Sequence, residues 1–251
     1  MTQNQSSLTG QTALITGAAH RIGAAIAIQL HNQGMDILLH YRHSQKEAEA
    51  LARHLETNRP DSVWLLQADL NDTASLVGLI EQAKQLGQRL DLLVNNASSF
   101  YPTPLEMTTE AQWDELIGSN LKAPFFLSTV AAPLLRKSQG SIINLVDIHA
   151  QRPLKEYSIY SIAKAGNAMM VKSLARELGP EIRVNGIAPG AILWPEQGLT
   201  KEAQEHILER TALKRPGTEE DIVRTVLFLH RDAPYITGQI IPVDGGRTLQ
   251  Q

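Results

Sequence analysis

The chain has 251 residues, enough for one large domain or two small ones. With 43% hydrophobic and 20% charged residues it is not a wholly disordered chain, and a formal net charge of −3 gives it no basic footprint for nucleic acid. The absence of cysteine excludes disulfides, cysteine-ligated zinc, iron–sulfur clusters and a cysteine nucleophile, and fits a reducing compartment. The opening MTQNQSSLTGQ has no basic n-region and no apolar h-region, and no apolar run approaches the ~18–20 residues that span a bilayer. These features predict a cytoplasmic protein without nucleic-acid or membrane partners. Residues 1–9 are read as a flexible arm and 10–251 as one domain. Eight histidines scattered without ligand spacing offer no metal site.

Short β-rich runs alternate with longer amphipathic stretches. The predicted strands are Thr12–Thr16, Asp36–His40, Ser62–Gln67, Leu90–Val94, Ser141–Val146, Ile182–Ile187 and Gln239–Val243. Between them, helical spacing marks Arg21–Gln33, Lys46–Leu55, Thr73–Leu86, Ala111–Asn120, Pro124–Arg136, Ile159–Leu178, Lys201–Arg210 and Glu219–His230. Gly34 and Gly87 are read as helix stops, and residues 188–199, with two prolines, two glycines and Trp194, as a long loop. Seven nearly continuous apolar strands separated by helices predict crossover connections. The fold class is therefore α/β: a doubly wound, Rossmann-type parallel sheet of about seven strands with helices on both faces.

The first strand runs into Thr16-Gly17-Ala18-Ala19-His20-Arg21-Ile22-Gly23 and then a helix. Such a turn aims free backbone N–H groups and a helix N-terminus at a pyrophosphate, with Gly17 allowing the tight turn and Gly23 close helix–strand packing. Arg21 stands where a middle glycine is usual, so the motif alone is also compatible with a plain turn; the strand–turn–helix context favours a dinucleotide. After the second strand come His40, Tyr41, Arg42, His43 and Ser44, with no carboxylate between Asp36 and Glu47. An NAD-type site places a carboxylate there, whereas Arg42 and Ser44 suit a 2′-phosphate, so NADPH is expected. At further strand ends, Asp69 and Leu70 are assigned to the adenine border. The paired Asn95 and Asn96, which can bond backbone groups, are assigned with Ala97 and Ser98 to the nicotinamide cleft, with Phe100 and Tyr101 either flat platforms or core.

Tyr160 and Lys164 are four residues apart, on one helix face. A free phenol, with a pKa of ~10, is a poor acid–base catalyst near neutrality, and an ammonium beside it is expected to lower that pKa. Asn120 lies on a preceding helical segment.

Taken in order and spacing, TGAAHRIG, NNA, Asn120, YSIAK, the NGIAPG run of Asn185–Gly190 and the ending VDGG resemble the short-chain dehydrogenase/reductase superfamily over essentially the whole chain. The superfamily normally carries a serine 13 residues before its tyrosine; that position here is Asp147. Arg21 in the turn, Asp147 and the run NASSFYPTPL resemble pteridine reductases, and the Asp together with the DGGR ending resembles dihydromonapterin reductases. The resemblance implies an NADPH-dependent reductase of dihydropterins, with dihydrofolate a further substrate. Hydride passes to a pterin ring carbon and a proton to the adjacent nitrogen. It also implies Asp147, Tyr160 and Lys164 as catalytic residues. Gly17, Arg21, Ile22, Gly23, Asn120, Lys164, Pro189 and Gly190 join the cofactor contacts already named, and Arg21, Ser98, Phe100, Asp147, Tyr160 and Trp194 contact substrate. A substrate loop at about 188–210, in which Trp194 is either lid or buried anchor, and a homotetramer through helices 111–136 and 159–178 are implied as well. Two other readings stay open: a carbonyl reductase acting on 3-oxoacyl or small ketone substrates, and a non-catalytic NADPH-binding regulatory protein.

Overall fold

A computed structural model of the chain describes residues 7–86, 89–192 and 200–249. Seven parallel strands form one sheet in the order β3-β2-β1-β4-β5-β6-β7. They are β1 Thr12–Ile15, β2 Asp36–Tyr41, β3 Val63–Gln67, β4 Leu92–Asn95, β5 Ser141–Leu145, β6 Arg183–Pro189 and β7 Ile240–Val243. Crossover helices link them: α1 Arg21–Asn32, α2 Gln45–Asn58, α3 Thr73–Gln85, α4 Glu110–Ile117, α5 Ala123–Ser138, α6 Ser158–Leu178 and α8 Glu219–Leu227, with α7 Lys201–Glu209 between β6 and α8.

The period of two along a strand divides the core between the two faces of the sheet. Ala13 and Ile15 of β1, with Ile37 and Leu39 of β2, pack with Ile26 and Leu30 of α1 and Ile222 and Val226 of α8. Leu14 and Leu38, one residue out of phase, join Leu76 and Leu79 of α3, Leu127 and Leu135 of α5, and Val171 and Leu174 of α6 on the other face. Strand order reverses between β1 and β4, and there the loops leaving the strand C-termini diverge and open a crevice.

Several expected boundaries shift. Leu8, expected in the arm, is fully buried and its N–H bonds the Gln33 carbonyl; apolar Leu8 docks under the end of α1 rather than trailing in water. The helices expected at 111–120 and 124–136 form one helical run, since five residues of π-helix, Gly118–Lys122, connect α4 to α5. Pro124 sits within this run just after the π-turn, and the Asn120 carbonyl four residues before it accepts from Asn167 Nδ2. β6 runs to Pro189, two residues beyond its expected end, and α7 begins at Lys201, where a helix was predicted. Trp194 and Gly87 lie outside the described residues.

Candidate active site

A cavity of about 570 Å³ opens between the ends of β1, β2, β3 and β4, and a second of about 730 Å³ adjoins it over β5, β6 and α6. Arg21, Ile22, Asn96, Ser98 and Phe100 line both, so the two form one continuous groove.

The first cavity is built around the turn after β1. Gly17 has φ +61° and Arg21 φ +49°, both in the left-handed region. A Cβ on Gly23 would fall 2.4 Å from the Gly17 carbonyl oxygen and 2.6 Å from Asn96 Nδ2, so α1 can approach the turn only with glycine there. Asn96 Nδ2 donates to the carbonyls of Thr16 (2.8 Å) and Gly17 (3.1 Å), and the Thr16 hydroxyl accepts from the N–H groups of Asn96 and Ala97. His40 holds the turn from the other side. Its Nδ1 accepts from the Gly17 N–H at 3.1 Å, while Nε2 bonds the Ala68 carbonyl at 3.1 Å. Burial holds the imidazole neutral, with its pKa lowered to about 4.

The Gly17 N–H is therefore spent on His40 Nδ1, and the Ala18 N–H on the His40 carbonyl; neither is free for a phosphate, contrary to the expectation for the turn. What remains is the start of α1. Its N-cap His20 makes no side-chain cap and its first turn holds no acid. A glycine cradle beneath an uncapped helix N-terminus fits a dinucleotide pyrophosphate.

Arg42, Asp69 and Leu70 line the far end of this cavity, and Arg42 Nη2 pairs with Asp69 at 3.0 Å. Ala97 and Ser98 line it as expected. Five assigned cofactor residues do not line either cavity. Tyr41 is buried in the α1-side core. His43 and Ser44 lie past the end of β2, where Ser44 precedes α2. Asn95 points to the opposite face of the strand from Asn96, donating from Nδ2 to Ser128 Oγ (3.1 Å) and Asn144 Oδ1 (2.8 Å). Asn120, buried in the π-helical turn, borders the groove through groups that line it: its Nδ2 donates to the Ser99 carbonyl at 2.9 Å and to Ser119 Oγ at 3.2 Å, and its own carbonyl accepts from Asn167.

The second cavity holds the acid–base group. Asp147, just past β5, accepts from the Tyr160 hydroxyl at 2.8 Å through Oδ2 and from the His149 N–H at 2.8 Å through Oδ1. Lys164, one turn after Tyr160 on α6, is buried and donates from Nζ to the Leu145 carbonyl at 2.8 Å. Its ammonium lies 5.6 Å from the centre of the Tyr160 ring. The expected direction of the tyrosine's shift is thereby reversed. Burial first, then the charge and hydrogen bond of Asp147, push the phenol well above its ordinary value. Burial lowers Lys164 to about 8, with the Asp147 charge opposing. In this arrangement Tyr160 is protonated at neutral pH, its proton directed at Asp147, and it is a weaker acid than a free phenol.

Phe100 stacks on Tyr157 (centroids 4.6 Å apart) and meets Tyr160 edge-on at 4.8 Å. Pro189 and Gly190 form the far wall, along with His149 and Arg247. Tyr157, His149 and Arg247 were not assigned from sequence. Asn96 bonds the backbone carbonyls of the turn whereas Asn95 does not; His149 and Arg247 have no local signal beyond closeness to Asp147 and the DGG turn.

A family model described as enoyl-(acyl carrier protein) reductase matches residues 17–248. The chain belongs to the short-chain dehydrogenase/reductase superfamily. It is 35% identical to pteridine reductase 1 of Leishmania tarentolae, covering 97% of this chain and 98% of that protein. It is 37% identical to a 3-oxoacyl-(acyl-carrier-protein) reductase of Staphylococcus aureus over 94% and 97% of the two chains. A ketoacyl reductase associated with the granaticin polyketide synthase of Streptomyces violaceoruber is 33% identical over 94% and 96%. The chain is accordingly an NAD(P)H-type oxidoreductase of this superfamily. Among its described residues, no helix is long and apolar enough to cross a membrane.

Proposed function

We propose that this chain is an NADPH-dependent reductase that converts dihydropterins to tetrahydropterins. The observation that carries the reading is the carboxylate of Asp147 hydrogen-bonded to the Tyr160 hydroxyl, where the superfamily usually has a serine, in a cavity continuous with the dinucleotide groove. A serine hydroxyl suits a ketone oxygen, because it donates. A carboxylate only accepts, and so suits a ring bearing N–H or amino donors.

NADPH supplies the hydride when bound. Arg42, with no acid in the 37–46 segment and a partly exposed guanidinium, suits its 2′-phosphate. Gly17, Gly23 and the start of α1 hold the pyrophosphate, while Arg21 stands on the wall shared by both cavities and reaches cofactor and substrate alike. Phe100, exposed on that wall, offers a flat face to a bicyclic ring on leaving Tyr157. Tyr160 gives its proton to the ring nitrogen next to the carbon that receives hydride, turning C=N into CH–NH. Asp147 orients the phenol and accepts from the ring, and Lys164 supplies the nearby positive charge.

The test is NADPH consumption with dihydrobiopterin, dihydromonapterin, dihydrofolate and an acetoacetyl thioester in parallel. Turnover of a dihydropterin that Tyr160→Phe abolishes while NADPH still binds is expected. Turnover of the thioester alone establishes the second reading, a carbonyl reductase, which the similarity to 3-oxoacyl reductases favours. Exposed Phe125 and Phe126 on α5 and Ile162 and Met169 on α6 further support a homotetramer, to be measured by sedimentation.

A further inference from the structure

Arg247, which the proposed reaction does not use, lines the substrate cavity with Asp147, Tyr160 and Lys164. Its position is set by a rigid turn. Gly245 and Gly246 have φ +63° and +80°, and a Cβ on either would fall 2.8 Å from Thr211 or Ala212. Asp244 accepts from the N–H groups of Gly246 (2.9 Å) and Thr248 (2.8 Å), and the Arg247 N–H bonds the Asp244 carbonyl.

Among the described residues, the guanidinium has neither a hydrogen bond nor an ion pair. The two carboxylates that act on it are Asp147 and Asp244, and each is already engaged by other donors: Tyr160 and His149 on the first, two backbone N–H groups on the second. Burial lowers its pKa, and Arg210 adds a like charge from the end of α7. A guanidinium held partly out of water with five N–H donors and no acceptor is costly unless a ligand completes it. Arg21 stands on the wall shared with the cofactor cavity, whereas Arg247 lines only the substrate cavity, with Ile207 of α7.

Building on the dihydropterin reading, we propose that Arg247 is a specificity-determining residue. It takes a carboxylate on the substrate's substituent, away from the carbon that receives hydride, and so favours carboxylate-bearing dihydropterins such as dihydrofolate over those with neutral side chains. The guanidinium matches a carboxylate with two parallel N–H···O bonds, and Arg210 adds a second positive charge near it.

Wild-type, Arg247→Gln and Arg247→Lys proteins are compared with dihydrofolate and dihydrobiopterin. Folate and biopterin affinities for the NADP⁺-loaded protein are measured by calorimetry alongside. The ratio of the dihydrofolate to the dihydrobiopterin KM is expected to rise roughly tenfold or more in R247Q, as loss of a charge-assisted hydrogen bond implies, with partial recovery in R247K. The ratio of folate to biopterin dissociation constants should move in parallel. Equal losses for both ligands, no loss, or a fall in kcat without a change in either ratio would overturn the assignment. If the wild-type protein reduces neither substrate, the dihydropterin reading fails, and the two dissociation constants still decide whether Arg247 distinguishes a carboxylate.

Discussion

His40 couples the cofactor turn to pH. The unfolded chain takes up a proton on this imidazole near the ordinary value of 6.5, whereas the folded chain resists it until about 4, because the ring is buried and its Nδ1 is committed as an acceptor to Gly17. Acid therefore favours the unfolded state. The stabilisation is complete above about pH 6.5 and is lost as pH falls toward 4. At pH 5 the unfolded imidazole is almost fully protonated and the folded one about a tenth so, which corresponds to about 2 kcal/mol lost relative to pH 8. His230, tied to Ser141 and Gln11, also has its pKa lowered to about 4 and adds up to the same amount. Urea unfolding from pH 8 to pH 5, monitored by tryptophan fluorescence, should show this decline. His40→Gln should be less stable at pH 8 yet lose about 2 kcal/mol less between the two pH values. A stability that is flat between pH 8 and 5, or an equal slope in His40→Gln, would refute the buried neutral imidazole.

Gly23→Ala would place its Cβ 2.4 Å from the Gly17 carbonyl and break the packing of α1 on the turn. Overpacking there should cost about 1–3 kcal/mol of stability and weaken NADPH binding at least tenfold by fluorescence titration; unchanged affinity would contradict the cradle. Arg42→Ala should raise the KM for NADPH roughly tenfold or more while leaving that for NADH nearly unchanged, since the 2′-phosphate is the only difference between them. Asp69→Asn, which releases Arg42 from its 3.0 Å pair, should move NADPH affinity the other way. Equal effects on both nucleotides in the two variants would remove Arg42 from 2′-phosphate recognition.

The parallel order of strands and helices was legible because each strand is apolar on both faces and each helix has one apolar stripe. The turn after β1 was legible because only glycine fits at Gly17 and Gly23. What escaped depends on neighbours distant in sequence. The π-helical turn at Gly118–Lys122 has no local marker, and it, not a gap between two helices, buries Asn120. Asn95 and Asn96 are chemically the same, and only the strand's register sends one into the core and the other onto the turn. The i,i+4 spacing placed Lys164 beside Tyr160 but could not show that the ammonium is taken by the Leu145 carbonyl, leaving burial and Asp147 to govern the phenol. Arg247 reaches the cavity through the C-terminal turn, after the last strand, where no spacing relates it to Asp147.

The central claim is that a carboxylate at position 147 selects a nitrogen-bearing ring over a ketone. The measurement that bears on it most directly compares kcat/KM for dihydrobiopterin and for an acetoacetyl thioester in wild-type protein and in Asp147→Ser. The account predicts a wild-type preference for the dihydropterin. In the variant that activity should fall about 100-fold or more, the scale of a lost acid–base partner, while thioester activity holds or rises. A variant that reduces dihydrobiopterin as well as the wild type, or a wild-type protein that reduces only the thioester, would contradict it.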